Sequence, residues 1–263
     1  FYYCTGFASL LIEKTMGVEF EKFKTLPNDS AVVARIPYKN ELDKKQRMTC
    51  VTDCKALSAG WLWDIPLWSR LGTGYVYSSQ FLSKAEAEKE FRKEIDWDGD
   101  VRHLKFRHGK HKKAWEKNVV AVGLSYGFIE PLESTGLLTT HENIINLIHH
   151  LSMRNGYVNK ISVNAFNGTA NDSIQGLSNF VAIHYGMSTR EDTPYWKYVT
   201  NEIDYDKTGD GDGITYIATG MGIKKHIINK QKFPKVSIKA IKDHIKDLEY
   251  LVEQMPSHYE YLK

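Results

Sequence analysis

Cysteine is scarce in this chain: Cys4, Cys50 and Cys54 are the only three in 263 residues. With neither a CxxC pair nor the density of a disulfide scaffold, reduced thiols and a cytoplasmic setting are the simplest reading. Long hydrophobic runs are missing too. The longest apolar stretch, around Val119–Gly123, falls far short of the ~20 residues that cross a bilayer, so no membrane partner is expected. Charge of one sign is lacking: 35 basic and 32 acidic residues leave +3, too even a balance to imply a nucleic-acid partner. No GxGxxG follows a strand, since Gly72-Thr73-Gly74 and Gly220-Met221-Gly222 lack the third glycine and the βαβ setting of a pyrophosphate site. No repeat is apparent. What remains is 42% hydrophobic and 25% charged, which excludes a disordered or collagen-like chain. The length suits one large domain or two small ones, at roughly 100 to 200 residues each.

The first residue is Phe1, and Phe1–Gly6 reads as the end of a strand entering a glycine turn. The chain is therefore expected to be the later part of a longer polypeptide. SLLIEKTMG is helix-like, and Pro27-Asn28-Asp29 marks a turn before a strand at Val32–Ile36. GWLWDIPL places Trp61, Trp63 and Ile65 on one side at period two and is expected to stop at Pro66. It would then pair with Tyr75 and Tyr77 across a Gly72-Thr73-Gly74 turn. Ser83 and Glu86 form a capping box that opens the helix KAEAEKEFRKEI. VRHLKFRHGKHKKAWEKN reads as another strand, and NVVAVGL as a buried strand of a parallel or mixed sheet. Ile144, Ile145, Leu147, Ile148 and Leu151 recur at helical spacing, and SIQGLSNFVAIHYGMS reads as a further amphipathic helix. So does the C-terminal stretch, whose stripe of Ile238, Ile241, Ile245, Leu248, Leu251 and Met255 is expected to be core.

Chemistry concentrates in AVGLSYGFIEPLESTGLLTTHENIINL. A buried strand enters a glycine-bearing turn, Glu130 and Glu133 flank Pro131, and Ser134-Thr135-Gly136 leads into a helix. The free amides of a helix's first turn and the positive end of its dipole hold an anion or the electron-rich edge of a flavin, and glycine allows close approach. A carboxylate placed beside them invites proton transfer. The plainer alternative is that Ser134 and Thr135 cap a helix whose glutamates are solvated. Two indoles and an isoleucine on one strand face form a dry wall, which serves equally as hydrophobic core.

Trp61-x-Trp63-x-Ile65-Pro66 has the pattern WxWxIP, and GFIEPLESTG strongly resembles the second signature of the flavin-dependent tryptophan halogenase family. CTGF, LPNDSAVVARIPY, RLGTGYVYSSQFLSKAEAEKEF, WEKNVVAVGL and NFVAIHYGMSTREDTPYWKY agree in the family's order, so the resemblance covers most of residues 1 to about 225. It implies an α+β/α/β chain. This would be the later part of an FAD-binding Rossmann-type fold like that of the aromatic hydroxylases, with a mixed or antiparallel sheet domain and a helical C-terminal part. Residues 1–138 would be the remainder of the flavin-binding domain with the substrate-side sheet, and residues 139–263 the mainly helical part. The resemblance also implies an enzyme that uses FAD as FADH2, forms hypohalous acid from dioxygen and halide, and halogenates an electron-rich aromatic ring of indole or phenol type. A separate flavin reductase would supply FADH2, no metal is needed, and homo-oligomerisation is left open. By the same resemblance Glu133 is the catalytic glutamate paired with a lysine, and Thr135 and Gly136 bind halide through their amides. Leu124, Pro131 and Leu137 contact the flavin, while Trp61, Trp63, Ile65 and Pro66 form the selectivity wall.

The flavin fingerprint and the lysine are expected upstream of Phe1. The family's tryptophan-specific members carry an aromatic-rich insert near the C-terminus, where this chain has YDKTGDGDGITYIATGMG; a more open pocket and an acceptor other than free tryptophan are expected. The alternatives are a flavin monooxygenase that hydroxylates its ring and a catalytically inactive remnant that binds an aromatic ligand. Asp204, Asp206, Thr208, Gly209, Asp210 and Asp212 nearly trace a calcium loop, but position twelve is Thr215 where a bidentate Glu is required. THENIINLIHHL lacks the second histidine of HExxH, at Ile145, which leaves His149 and His150 as helix-surface residues. His103, His108 and His111 among lysines and arginines are expected on a solvated strand and loop, and His184 and Tyr185 as packed residues bordering the pocket.

Overall fold

The computed structural model describes residues 2–3, 5–152, 156–205 and 238–263. The calcium-like loop beyond Tyr205 and the stretch that stands in place of the aromatic insert lie outside the described residues. Strand β1 (Tyr2–Tyr3) leads through a 3₁₀ turn (Gly6–Ala8) and a π-helical segment (Leu10–Thr15) to β2 (Phe20–Lys22) and β3 (Ser30–Ile36). There follow α1 (Glu41–Arg47), β4 (Asp53–Leu57), β5 (Gly60–Leu67), β6 (Arg70–Tyr77), α2 (Lys84–Ile95) and β7 (Val101–Lys105). Next come β8 (Gly109–His111), β9 (Trp115–Glu116), β10 (Val119–Ala121) and β11 (Gly127–Phe128), then α3 (Gly136–Ser152), α4 (Lys160–Gly186), α5 (Pro194–Asn201), α6 (Ile238–Gln254) and α7 (His258–Leu262).

Five strands form one antiparallel sheet in the order β4-β5-β6-β3-β7. Because side chains alternate across a strand, the sheet feeds two apolar clusters. Val32, Leu62, Tyr75 and Tyr77 meet Phe91 of α2, whereas Ala31, Trp61 and Val76 join the larger cluster with residues of α3, α4 and α5. The Ser83–Glu86 capping box opens α2 as its sequence predicts. Two three-stranded sheets, β1-β10-β9 and β11-β8-β2, complete the described strands. The buried strand β10 runs parallel to β1 and antiparallel to β9, in a mixed sheet. No described helix is long and apolar enough to cross a membrane.

Several expectations are corrected. The β5–β6 hairpin turns at Trp68-Ser69, not at Gly72–Gly74, and Pro66 stays in register opposite Leu71. Both glycines lie inside β6, opposite Ile65 and Trp63, and Gly74 is needed there because the Trp63 ring covers it. The basic strip is only partly solvated: Lys105, Lys112 and Lys113 are exposed, but His108, Lys110 and His111 are buried. Lys110 reaches Glu21 at 2.8 Å, and Arg107 and His111 close on Glu13. Carboxylates from the N-terminal segment cover a strand that composition alone would leave in water. The C-terminal stripe is helical but not core, since Ile245, Leu248, Leu251 and Met255 are exposed. In α3, Leu147 is buried while Ile144, Ile145 and Ile148 are exposed. Periodicity reports that a helix has an apolar face, not that something covers it.

The Arg107 hydrogen bond holds the Glu13 carboxyl below the usual glutamate range. A carboxyl depressed in the folded state stabilises fully above its unfolded pKa, and that stability is lost as pH falls through the folded value. Glu13→Gln is therefore expected to lower the melting temperature at neutral pH. Melting curves at successively lower pH should show its deficit closing in acid.

Candidate active site at the PLEST turn

From β10 the chain passes a 3₁₀ turn (Gly123–Ser125) and β11, then a second 3₁₀ turn (Pro131–Glu133). Pro131 opens that second turn, where its fixed φ suits the first helical position. Ser134 closes it in the left-handed region at φ 54° and ψ 27°, with its N–H donating to the Pro131 carbonyl at 3.0 Å. That conformation is uncommon for a side-chain-bearing residue, and here it swings the chain sharply into α3. Thr139 N–H donates to the Thr135 carbonyl at 3.0 Å, so the amides of Gly136, Leu137 and Leu138 precede the first i→i−4 bond and lack helical acceptors. Beside them lies a cavity of about 270 Å³ lined by Leu124, Phe128, Ile129, Thr135, Gly136 and Leu137. A Cβ at Gly136 would meet nothing within 4 Å, so no neighbour crowds the chain on that side. Exposed apolar walls beside unpaired amides suit a flat ring system with an anion beneath it.

A second cavity, of about 230 Å³, is lined by Cys54, Trp61, Leu132, His184, Tyr185 and Trp196 among others. Leu132 and Thr135, three residues apart, thus line different cavities. Glu133 is partly exposed, and its Oε1 lies 2.6 Å from His184 Nε2. Partial desolvation pushes the Cys54 thiol up, and the Glu133 carboxylate adds to the effect. Lys55 lends atoms to this cavity, but its ammonium is bound by Glu94, so it does not serve as the lysine partner expected for Glu133. His184 and Tyr185 border the cavity as packed residues of α4.

The proposed wall is not uniform. Trp61 is buried and lines the second cavity. Trp63 packs on it with ring centroids 5.8 Å apart, whereas Ile65 is exposed, nearer the hairpin end. Pro131 is exposed and lines neither cavity. A Cβ at Gly74 would come within 2.2 Å of the Trp63 ring. Gly74→Ala must therefore displace that indole, and it is expected to destabilise by about 1–3 kcal/mol and to alter tryptophan fluorescence, both measurable by thermal melting.

The residue that sequence reasoning passed over is Glu130. It is fully buried, and its Oε2 accepts from Trp61 Nε1–H at 3.0 Å and from Asn28 Nδ2 at 2.9 Å. Asn28 also donates to the Tyr185 hydroxyl at 2.8 Å and accepts from Tyr195 at 3.0 Å. Burial raises both phenols well above their ordinary pKa, with the Glu130 charge reinforcing the rise, so both hydroxyls keep their protons as donors. Burial lowers the pKa of His108 against an opposing pull from Glu130. Glu130 Oε1 and His108 Nε2 have no partner among the described residues. Glu130 therefore ties the indole of the wall directly to the turn that carries Glu133 and Thr135. The available hint was its place after the apolar Phe128-Ile129, where a solvated glutamate would be out of character.

Comparison with known proteins converges on one family. The tryptophan halogenase sequence profile matches residues 1–208. The 7-chloro-L-tryptophan 6-halogenase KtzR of Kutzneria sp. (strain 744) is 40% identical over 199 residues, covering 74% of this chain and 37% of that protein. The apo structure of VirX1 superposes with a TM-score of 0.84 at 41% identity, over 99% of this chain and 57% of the other. The tryptophan 6-halogenase SttH from Streptomyces toxytricini gives 0.84 at 31% identity, over 100% and 56%. The chain thus spans little more than a third of the curated relative's length and rather more than half of the matched structures. With the profile match covering most of the chain, this protein belongs to the tryptophan halogenase family.

Proposed function

We propose that the full-length protein is an FADH2-dependent halogenase of a small electron-rich aromatic ring. The observation that carries this reading is the PLEST turn, whose Thr135 and Gly136 line a cavity beside free helix-start amides while its Leu132 lines another with Trp61 and with His184, the partner of Glu133. Leu124 and Leu137 would line the flavin ring, with Pro131 at its edge, and the reduced flavin when bound supplies the electrons that reduce dioxygen and so oxidise halide. Thr135 and Gly136 would hold the halide by their amides, where the α3 dipole favours a negative ion. Trp61, backed by Trp63, keeps the organic ring on its own side, so that only a small species crosses. Ile65 and Pro66 extend that strand as support. Glu133 would take the proton that the ring loses as the carbon–halogen bond forms.

The acceptor cavity is small beside the roughly 300–1,000 Å³ usual for ligand pockets, which favours a one- or two-ring substrate such as an indole or a phenol. Tryptophan is the substrate named for the relatives and belongs in the panel. A separate flavin reductase would deliver FADH2, in the cytoplasm. Full-length protein, a reductase, dioxygen, chloride or bromide and a panel of aromatic rings should yield products carrying the halogen isotope pattern in mass spectra. Hydroxylated product alone would make the protein a monooxygenase, and binding without turnover would make it a remnant; either result overturns the proposal.

A further inference from the structure

His184 places its Nδ1 3.1 Å from the Phe180 carbonyl oxygen and its Nε2 2.6 Å from Glu133 Oε1. A carbonyl oxygen only accepts, so Nδ1 must carry hydrogen. With that hydrogen fixed, a neutral imidazole presents a lone pair at Nε2, and a lone pair against a bare carboxylate at this distance is repulsive. The contact is attractive when one proton lies between Nε2 and Oε1, as imidazolium with carboxylate or imidazole with carboxylic acid. The helix fixes the geometry: Phe180 and His184 are one turn apart on α4, and the same Phe180 ring stands edge-on to the imidazole with centroids 5.6 Å apart. Cys54 and Lys55 from β4 and Tyr185 from α4 are the other titratable groups lining this cavity, and the Lys55 ammonium is bound by Glu94.

We infer that His184 is a positioning residue that holds Glu133 through a shared proton, so that the pair, and not the carboxylate alone, handles protons in ring halogenation. The chemistry rests on the function proposed above, with hypohalous acid as the halogen donor. The ring carbon bonds to halogen as the halogen–oxygen bond breaks, and the departing hydroxide takes the pair's proton to become water. The ring C–H electrons return to the ring, and that proton passes to Glu133. The pair gives one proton and receives one, and it ends the turnover as it began. A lone carboxylate could receive the ring proton but would have none to give.

The test is a ¹⁵N-histidine spectrum of the full-length protein at neutral pH, with His184 assigned by its loss in His184→Gln, or in His184→Asn should the first variant not fold. Nδ1 is expected to be protonated, with a strongly hydrogen-bonded proton at Nε2 that disappears in Glu133→Gln while Nδ1 stays protonated. A bare Nδ1, or an Nε2 signal indifferent to Glu133→Gln, overturns the inference. In turnover, His184→Gln should lower kcat roughly tenfold or more and leave KM for the ring within about threefold; a change confined to KM also overturns it. The spectrum needs no turnover, so the two proposals fail separately. A shared proton without halogenation on any ring sinks the function and the pair's part in it but leaves the shared proton standing, and halogenation with a bare Nδ1 sinks only the pair.

Discussion

Glu133→Gln in the full-length protein is expected to reduce ring halogenation by about 10²–10⁴-fold while oxidation of reduced flavin continues. An amide can keep the shape of the side chain and a hydrogen bond to His184, but it cannot take up the ring proton. Glu133 sits at the end of the PLE turn with His184 on one oxygen, and it does not line the cavity of the Thr135 and Gly136 amides. Halide and flavin chemistry, if it occurs where those amides lie, should therefore proceed without it. The comparison is halogenated product by mass spectrometry against flavin oxidation by absorbance in the same reaction. Undiminished product would remove Glu133 from the mechanism. Parallel loss of both rates would mean that the turn has collapsed and that the variant says nothing specific about proton transfer.

Glu130→Ala should cost more stability than any other single change considered, about 2–6 kcal/mol, since two buried donors lose their acceptor at about 1–3 kcal/mol each. The loss would leave Trp61 Nε1–H and Asn28 Nδ2 without their acceptor in a region that is almost completely dry. It would also open space between the indole wall and the turn. Glu130→Gln can keep one oxygen where Oε2 now accepts both bonds, so its cost is expected to stay near the ~1 kcal/mol of an ordinary hydrogen-bond change. Denaturant titration of the wild type and both variants decides the matter. Equal midpoints for wild type and Glu130→Ala would show that the Asn28–Glu130–Trp61 link does not hold the wall.

Much of the local structure was legible before any coordinates. The Ser83–Glu86 box marked the start of α2, and period-two alternation put Trp61 and Trp63 on one face of β5. The short apolar run became the buried strand β10. These signals lie within a few residues of one another, and their physics is local: a cap, an alternation, a run of β-branched side chains. The hairpin turn was misplaced because Gly72 and Gly74 look like turn glycines. Their actual service is steric, and only the partner strand, with Trp63 lying over Gly74, reveals it. The buried part of the basic strip was misread for the same reason: the Glu13 and Glu21 that pair with His111 and Lys110 stand 98 and 89 residues earlier.

The family and the turn into a helix start at Ser134-Thr135-Gly136 could be read from residue order, because a turn and a helix start are built from consecutive residues, while the roles proposed for Glu133, Thr135 and Gly136 come from the family resemblance. Tertiary structure alone decided that Glu130 is the buried glutamate and Glu133 the accessible one, that His184 meets Glu133, and that Trp61 is hydrogen-bonded to the turn. Those pairings join residues 51 and 69 positions apart. A sequence records which side chains can form hydrogen bonds, but which of them lose water and find each other depends on how the sheet, the turn and α4 close around the same interior.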